Sequence, residues 1–210
     1  MIDLKLKYEP RHIECFDISN IQGTNNVASC VVFKNGKPAK KMYRKFNIKT
    51  VKGQNDFGSM EEVVFRRYKR LLDESQDMPN LIIIDGGKGQ LSSAVKSLKE
   101  LSIFNRIPII GIAKRLEELY YPQDPVPLYL NKKSETLKII QQIRNEAHRF
   151  GLGFHRDRRS KFSLESQLDN IKGIGTVSKD KLMKRFKSFE RIQNAETQEL
   201  VDEIGKDKAK

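Results

Sequence analysis

The first third of the chain alternates apolar and polar residues in strand-like patterns. Ile13-Glu14-Cys15-Phe16-Asp17-Ile18 predicts a short strand, and Val27 to Phe33, rich in β-branched residues, predicts a second. Asn35-Gly36 follows, a pair in which both residues accept positive φ, so a tight hairpin is expected there. From Lys40 to Ile48, the residues Met42, Arg44, Phe46 and Ile48 alternate with Lys41, Tyr43, Lys45 and Asn47, predicting a third strand and an antiparallel meander. Ser59-Met60-Glu61-Glu62 reads as a capping box that opens a helix to about Ser75, with Val64, Tyr68 and Leu71 on one face.

Leu81-Ile82-Ile83-Ile84-Asp85 is continuously apolar and ends in a carboxylate, the pattern of a strand buried on both faces in a parallel sheet. Gly86-Gly87-Lys88-Gly89 interrupts it, a helix follows from Leu91 to Leu101, and Ile107 to Ala113 predicts a further strand. The order β-β-β-α-β-α-β makes an α/β fold, a mixed sheet with helices on its faces. Pro122, Pro125 and Pro127 mark a loop. Ser134 to Phe150 places Ile140, Ile143, Ala147 and Phe150 at helical spacing, with Gln141, Arg144 and His148 on the other face. Gly151 to Lys161 reads as a basic linker around Arg156-Asp157-Arg158-Arg159, and a small helical module begins near Leu168.

Charge adds a partner class. The 210 residues hold 40 Lys+Arg against 27 Asp+Glu, a formal net charge of +13, which favours a polyanion, nucleic acid before membrane. Lys34 to Lys52 carries eight basic residues and no acid, interleaved with Tyr43 and Phe46, and Lys132 to Lys161 carries nine basic and three acidic residues. Both stretches read as phosphate contacts. No run of about 18 apolar residues predicts a membrane-spanning helix, and Met1 to Pro10 has no apolar signal-peptide core. Cys15 and Cys30 are too few for a disulfide framework or a four-thiolate zinc site, so a reducing compartment is expected.

Two acids carry the candidate chemistry. Asp17 lies inside an apolar strand, where a carboxylate is costly to bury unless it is paired or metal-bound. Asp85 ends another apolar strand, where open α/β sheets gather their ligands. If the strands are neighbours, the acids converge and repel, and a divalent cation relieves the repulsion; such oxygen donors suit Mg²⁺ or Mn²⁺. The structural alternative is that Asp17 caps a turn and Asp85 N-caps the next helix. Gly86-Gly87-Lys88-Gly89-Gln90 lacks the Ser or Thr that a nucleotide phosphate loop places after its Lys, which counts against a nucleotide-dependent kinase. The glycine turn still offers backbone N–H groups to a nucleic-acid phosphate, or is a plain tight turn. His148 lies one turn after Arg144, as a reactive or simply solvated imidazole, and His12 and His155 have no stronger claim. Gly173 and Gly175 flank one apolar residue between two short helices, with Lys179 and Lys181 nearby. Such a turn lets backbone N–H groups approach a phosphate closely, and it resembles the helix-hairpin-helix motif of non-sequence-specific DNA binders.

Together these segments resemble the C-terminal half of the UvrC family, the incision subunits of bacterial nucleotide excision repair. Glu14-Cys15-Phe16-Asp17-Ile18-Ser19 with Gln22-Gly23 is similar to the family's first catalytic block, and Ile84-Asp85-Gly86-Gly87-Lys88-Gly89-Gln90-Leu91 to its second. Arg144-Asn145-Glu146-Ala147-His148-Arg149-Phe150, with His155-Arg156, is similar to its third, and Asn55-Asp56-Phe57 with Met60 falls where the family carries another acid. The resemblance implies a ribonuclease H-like mixed sheet flanked by helices over 1–160, with the first and fourth strands side by side. A small all-α helix-hairpin-helix module over 161–210 is expected to follow it.

The implied activity is a divalent-metal-dependent DNA endonuclease that cuts on the 5′ side of a lesion. Asp17, Asp56 and Asp85 are the implied metal site for Mg²⁺ or Mn²⁺, and His148 the catalytic partner. Lys88, Arg144, Arg156, Gly173, Gly175 and Lys179 are the expected DNA contacts. Expected partners are damaged double-stranded DNA and, in the full-length protein, the UvrB–DNA complex with UvrA upstream. A cytoplasmic, monomeric fragment without membrane contact is expected. Three positions depart from the family: Asn20 stands where His is common, Asp56 reads as preceding its helix, and Ile204-Gly205-Lys206-Asp207-Lys208 begins a second hairpin where the sequence stops. The family's N-terminal nuclease and UvrB-contacting segment lie outside this sequence. The competing reading is a non-catalytic nucleic-acid-binding module whose acids are structural.

Overall fold

The strand patterns of the first half assemble into one mixed sheet in the computed structural model, which describes residues 3–21, 25–51, 53–113, 118–169, 171 and 173–209, with backbone alone at 20, 21, 25, 26, 154–167 and 169. Among the described residues the strands are β1 (His12–Ile21), β2 (Asn25–Lys34), β3 (Lys37–Pro38), β4 (Arg44–Asn47), β5 (Leu81–Asp85), β6 (Ile109–Ala113) and β7 (Glu118–Tyr120). Their order is β3-β2-β1-β5-β6-β7, and β4 pairs β2 as well. β1 runs antiparallel to β2 and parallel to β5, β5 is parallel to β6, and β7 returns antiparallel. The predicted adjacency of the first strand and the Leu81–Asp85 strand is therefore present.

Local chemistry sets the strand ends. Asn35 (φ +49°) and Gly36 (φ +73°) form the expected two-residue turn between Lys34 and Lys37. The strand expected over Lys40 to Ile48 is shorter. Lys40–Met42 is a 3₁₀ turn, in which Met42 N–H bonds Ala39 O and Tyr43 N–H bonds Lys40 O, so only Arg44–Asn47 joins the ladder. Lys40 and Lys41 are exposed and Tyr43 is buried, so the alternation there did not mark a buried face. β6 begins at Ile109 because Ile107 closes a 3₁₀ turn over Phe104–Arg106 and Pro108 precedes the strand. β7 lies in a stretch whose pattern predicted no strand.

The described residues form six α-helices: α1 (Asp56–Asp73), α2 (Lys88–Glu100), α3 (Glu135–Asp169), α4 (Thr176–Phe186), α5 (Phe189–Gln193) and α6 (Thr197–Ile204). α1 starts earlier than its expected capping box. Asn55 is the N-cap, accepting from Gly58 N–H at 3.0 Å, while the Ser59 hydroxyl donates to Asn55 O inside the helix. The Glu62 carboxylate accepts instead from the backbone N–H groups of Lys49 and Thr50, at 3.0 and 2.9 Å. α2 begins at Lys88 rather than Leu91, capped at Gly87.

The predicted basic linker is helical. α3 continues through Gly151 and Gly153 to Asp169. Gly151 is not a breaker here but a point of close packing. A Cβ built on it would lie 3.3 Å from Ser19 Oγ, 3.4 Å from Ser29 Oγ and 3.5 Å from Asp17 Oδ2. Ser29 Oγ also donates to Ala147 O at 2.9 Å, so small residues bring α3 onto the sheet face that carries Asp17 and Ser29.

Strand alternation sends Glu14 and Phe16 to the opposite face, where α1 lies. Phe16 meets Tyr68 with ring centroids 6.0 Å apart, and Met60, Val63, Val64 and Leu71 complete that layer with Leu91, Ala94 and Leu98 of α2. Glu14 is fully buried and forms an ion pair with the buried Arg67, whose Nε donates at 3.2 Å. Tyr68 donates its hydroxyl to the same carboxylate at 3.0 Å, and His12 Nε2 lies 3.5 Å away. Burial alone would raise the Glu14 pKa, but the hydrogen bonds and charges of His12 and Arg67 outweigh it and hold the carboxyl at about 2.

The chain divides into two compact units, Met1–Leu152 and Gly153–Lys210, a boundary earlier than the 160/161 read from the sequence. The second unit has its own core of Leu168, Leu182, Phe186 and Ile192, with Leu200 and Ile204 against it. Ahead of α4, Gly173 has φ +91° and Gly175 is the N-cap. No helix among the described residues is long and apolar enough to cross a membrane.

Two stability outcomes follow from these contacts. Arg67→Met strands the Glu14 carboxylate and should cost about 3–5 kcal/mol at neutral pH. A carboxyl depressed from 4.5 to about 2 contributes stability above its unfolded pKa and loses it as pH falls through the folded one. The difference between wild type and variant should therefore narrow between those two values, as read by denaturant melts across pH; a constant difference would contradict it. Gly151→Val should push α3 off Ser19 and Ser29 at a cost of about 1–3 kcal/mol, while Gly153→Val, with nothing within 4 Å of its Cβ, should cost less. Equal melting temperatures for the two variants would contradict the close packing.

Candidate metal centre

β1 and β5 pair in parallel with Asp17 and Asp85 as Cα partners, so the two strand-borne acids stand side by side. They are 1% and 3% exposed. Two carboxylates this close and this buried repel strongly, because little water remains to screen them. From above, α3 brings in His148. Its Nδ1 lies 3.3 Å from Asp17 Oδ2, and its side chain remains about half exposed. One ligand atom from each of Asp17, Asp85 and His148 lies within 4.8 Å of the others. Two carboxylate oxygens and an imidazole nitrogen form a donor set that fits a divalent cation with a preference for hard ligands. The half-exposed imidazole leaves that set open to solvent on one side.

Other groups tune this pocket. Cys15 lies two residues before Asp17 on the same strand face and is fully buried. Burial pushes its thiol pKa well up, Asp85 and Asp17 push it further, and Arg144 opposes them. The thiol thus stays protonated beneath the acids, and the half-buried Arg144 guanidinium is the nearby positive charge. Arg144 also donates to Asn145 Oδ1, at 3.2 Å from Nη2.

Not every predicted residue joins. Asp56 falls outside the group of three. It is the first residue of α1 rather than a loop residue, where an acid suits the positive end of the helix dipole. It lines a neighbouring cleft of about 450 Å³ with Gln54, Asn55, Phe57 and Gln90. Lys88 donates to Pro125 O at 2.6 Å and lies over the Tyr120 ring, 5.1 Å from its centroid, so its ammonium is held by the proline loop. Gly173, Gly175 and Lys179 belong to the second unit, with Lys179 N–H bonding Gly175 O in the first turn of α4. Arg156 and His155 are on the helical backbone of α3, and their side chains, like that of Asn20, lie outside the described residues, as do Gln22 and Gly23 altogether.

Sequence reasoning missed Ser19 and Ser29, whose hydroxyls flank Asp17 where Gly151 passes. The signal for Ser19 was available, since it is two residues beyond Asp17 on one strand face. Ser29 needed the β1–β2 register, in which it is the partner of Asp17.

Residues 2–152 match the family of the UvrC RNAse H endonuclease domain. Among curated proteins, the UvrABC system protein C of Flavobacterium psychrophilum is 69% identical over 99% of this chain and 35% of its own length. That of Porphyromonas gingivalis strain W83 is 61% identical over 99% of this chain and 35% of its own length. The chain thus spans about a third of the length of the curated relatives it matches. Among solved structures, Ciona intestinalis endonuclease V in complex with an inosine-containing DNA is similar at 18% identity and a TM-score of 0.38, over 67% of this chain and 58% of that one. The matching region carries the sheet, the paired acids and His148, and the chain belongs to the UvrC RNase H endonuclease domain family.

Proposed function

We propose that this chain is the divalent-metal-dependent DNA endonuclease part of a nucleotide excision repair protein, cutting on the 5′ side of a lesion. The observation that supports it best is the convergence of Asp17, Asp85 and His148 within 4.8 Å. Asp17 and Asp85 hold Mg²⁺ or Mn²⁺ through their carboxylates. When bound there, such an ion acidifies a coordinated water and stabilises charge on the scissile phosphate. His148 Nδ1 is engaged with Asp17, which leaves Nε2 to exchange a proton with water. Arg144, one turn earlier on α3, meets a phosphate beside the cut. Asp56 acts from the adjoining cleft and is not a direct ligand in this reading.

The second unit binds the duplex backbone as a helix-hairpin-helix. Gly173 has φ +91°, a conformation that L side chains rarely adopt, and Gly175 opens α4, so backbone N–H groups at the helix start face an incoming phosphate with Lys179 close in sequence. Damaged double-stranded DNA is the substrate. In the full-length context, the UvrB–DNA complex presents it after UvrA has acted, in the bacterial cytoplasm.

Asp85→Asn should separate folding from function. It removes like-charge repulsion at constant shape, so without metal the variant should match or exceed wild-type stability by about 1 kcal/mol. Mn²⁺ should raise the melting temperature of wild type and not of the variant, and nicking of damaged duplex in the full-length context should be lost. Nicking at the wild-type rate by folded Asp85→Asn would overturn the assignment of Asp85 to the metal site, whereas absence of metal-dependent nicking by wild type would favour the non-catalytic binding module. His148→Ala should slow single-turnover cleavage by about 10²-fold or more with DNA affinity little changed, and an unaltered rate would remove it from the site.

A further inference from the structure

Phe57 belongs neither to the metal centre nor to the core. It lies in the first turn of α1, beside Asp56, and is 57% exposed. Its ring is nonetheless held in place. A Cβ built on Gly89 would fall 2.4 Å from Phe57 Cε1 and 2.8 Å from Cζ, so one side of the ring rests where only a glycine leaves room. Gly89 lies in the first turn of α2, which Gly86 and Gly87 connect to Asp85. In the same turn Gln90 folds back over Gly86, the residue after Asp85, with Cδ 2.5 Å from the position of a Cβ there. The ring and the acid are thus joined through one short glycine turn.

The cleft that Phe57 lines has Gln54, Asn55, Asp56 and Gln90 as its other walls. Among these lining residues there is no Lys or Arg, so the cleft is poorly suited to a phosphate. Three carboxamides and an exposed, backed aromatic ring suit a nucleobase: the amides offer donors and acceptors to a base edge, and the ring offers a stacking face.

We propose that Phe57 is a base-stacking, positioning residue: it receives a nucleobase of the DNA strand next to the phosphate at the Asp17–Asp85 centre, with the carboxamides of Gln54, Asn55 and Gln90 meeting the base edge. The proposal rests on the DNA endonuclease reading above. Stacking on Phe57 fixes how far the strand advances across the acids, and therefore which phosphate is cut.

The sequence contains no Trp, so Phe57→Trp places a single reporter at this position. The test titrates the 210-residue chain with lesion-containing duplex, following binding by DNA anisotropy and stacking by tryptophan emission. Phe57→Trp should bind as wild type does and lose roughly half or more of its emission at saturation, as expected for a ring stacked on a base. Tyr8→Trp, on an exposed residue by the opposite ends of β5 and β6, should keep its emission. Phe57→Leu, which still covers Gly89 but cannot stack, should bind about 10-fold more weakly, and in the full-length context its cuts should spread over neighbouring phosphates. Anisotropy-confirmed binding with unchanged Phe57→Trp emission, or wild-type affinity and cut position for Phe57→Leu, would overturn the stacking role and leave the endonuclease reading intact. Absence of DNA binding by the wild-type chain would instead sink that reading, and this inference with it.

Discussion

The parallel register between β1 and β5 is the constraint on which the candidate site depends. It sets Ile13 against Leu81, Cys15 against Ile83 and Asp17 against Asp85. A slip of one residue would turn Asp17 toward α1 and put Cys15 and Ile13 on the wrong face. The register resists such a slip because β5 is buried along its whole length and β1 is paired on both edges, by β2 and by β5. The cost of holding two carboxylates together is thus met by packing that has no other arrangement open to it.

β1 carries acids on both faces, and the two serve opposite purposes. Glu14 is surrounded by donors from the protein itself, Arg67, Tyr68 and His12, and its charge is fixed down to a pH of about 2. That is a structural ion pair, which pins α1 to the sheet. Asp17 faces α3, where the approach of Ala147 and Gly151 leaves space for small hydroxyls and where His148 stands half exposed. A second acid, Asp85, stands beside it, with the Arg144 guanidinium nearby. Protein groups hold the first acid as a structural ion pair, whereas the second, with Asp85 and His148, forms a donor set that fits a divalent cation.

The acids and their strands were legible from the sequence because burial of a carboxylate in an apolar run is a local contradiction that only pairing or metal resolves. Leu81–Asp85 and the Asn35-Gly36 turn were legible for the same kind of local reason. The misreadings arose where tertiary contacts overrode local signals. Gly151 reads as a helix breaker until α3 is seen to need its missing Cβ. Ser59 and Glu62 have the spacing of a capping box, yet Asn55 takes the cap and Glu62 bonds the backbone before the helix. Asp56 consequently moved from a loop to a helix terminus, and its place outside the group of three could not be read from spacing alone. Ser29 and Phe57 needed the register and the glycine turn, neither of which leaves a mark in composition.

Under the proposed function, the chain's charge distribution separates binding from cutting. A formal net charge of +13 favours the approach of a polyanion. The Asp17–Asp85 pair acts the other way locally, since two adjacent buried carboxylates disfavour an approaching phosphate. On that reading, long-range attraction would not depend on the metal, because it comes from Lys and Arg residues along the chain, whereas a divalent ion held by the two acids would offset their local negative charge. Under the proposed function, the bound cation therefore controls the last few ångströms of approach more than overall affinity. The cleft beside Phe57, lined by Asp56 and by no Lys or Arg, fits this division, since a base held there by stacking adds no negative charge, as a phosphate would.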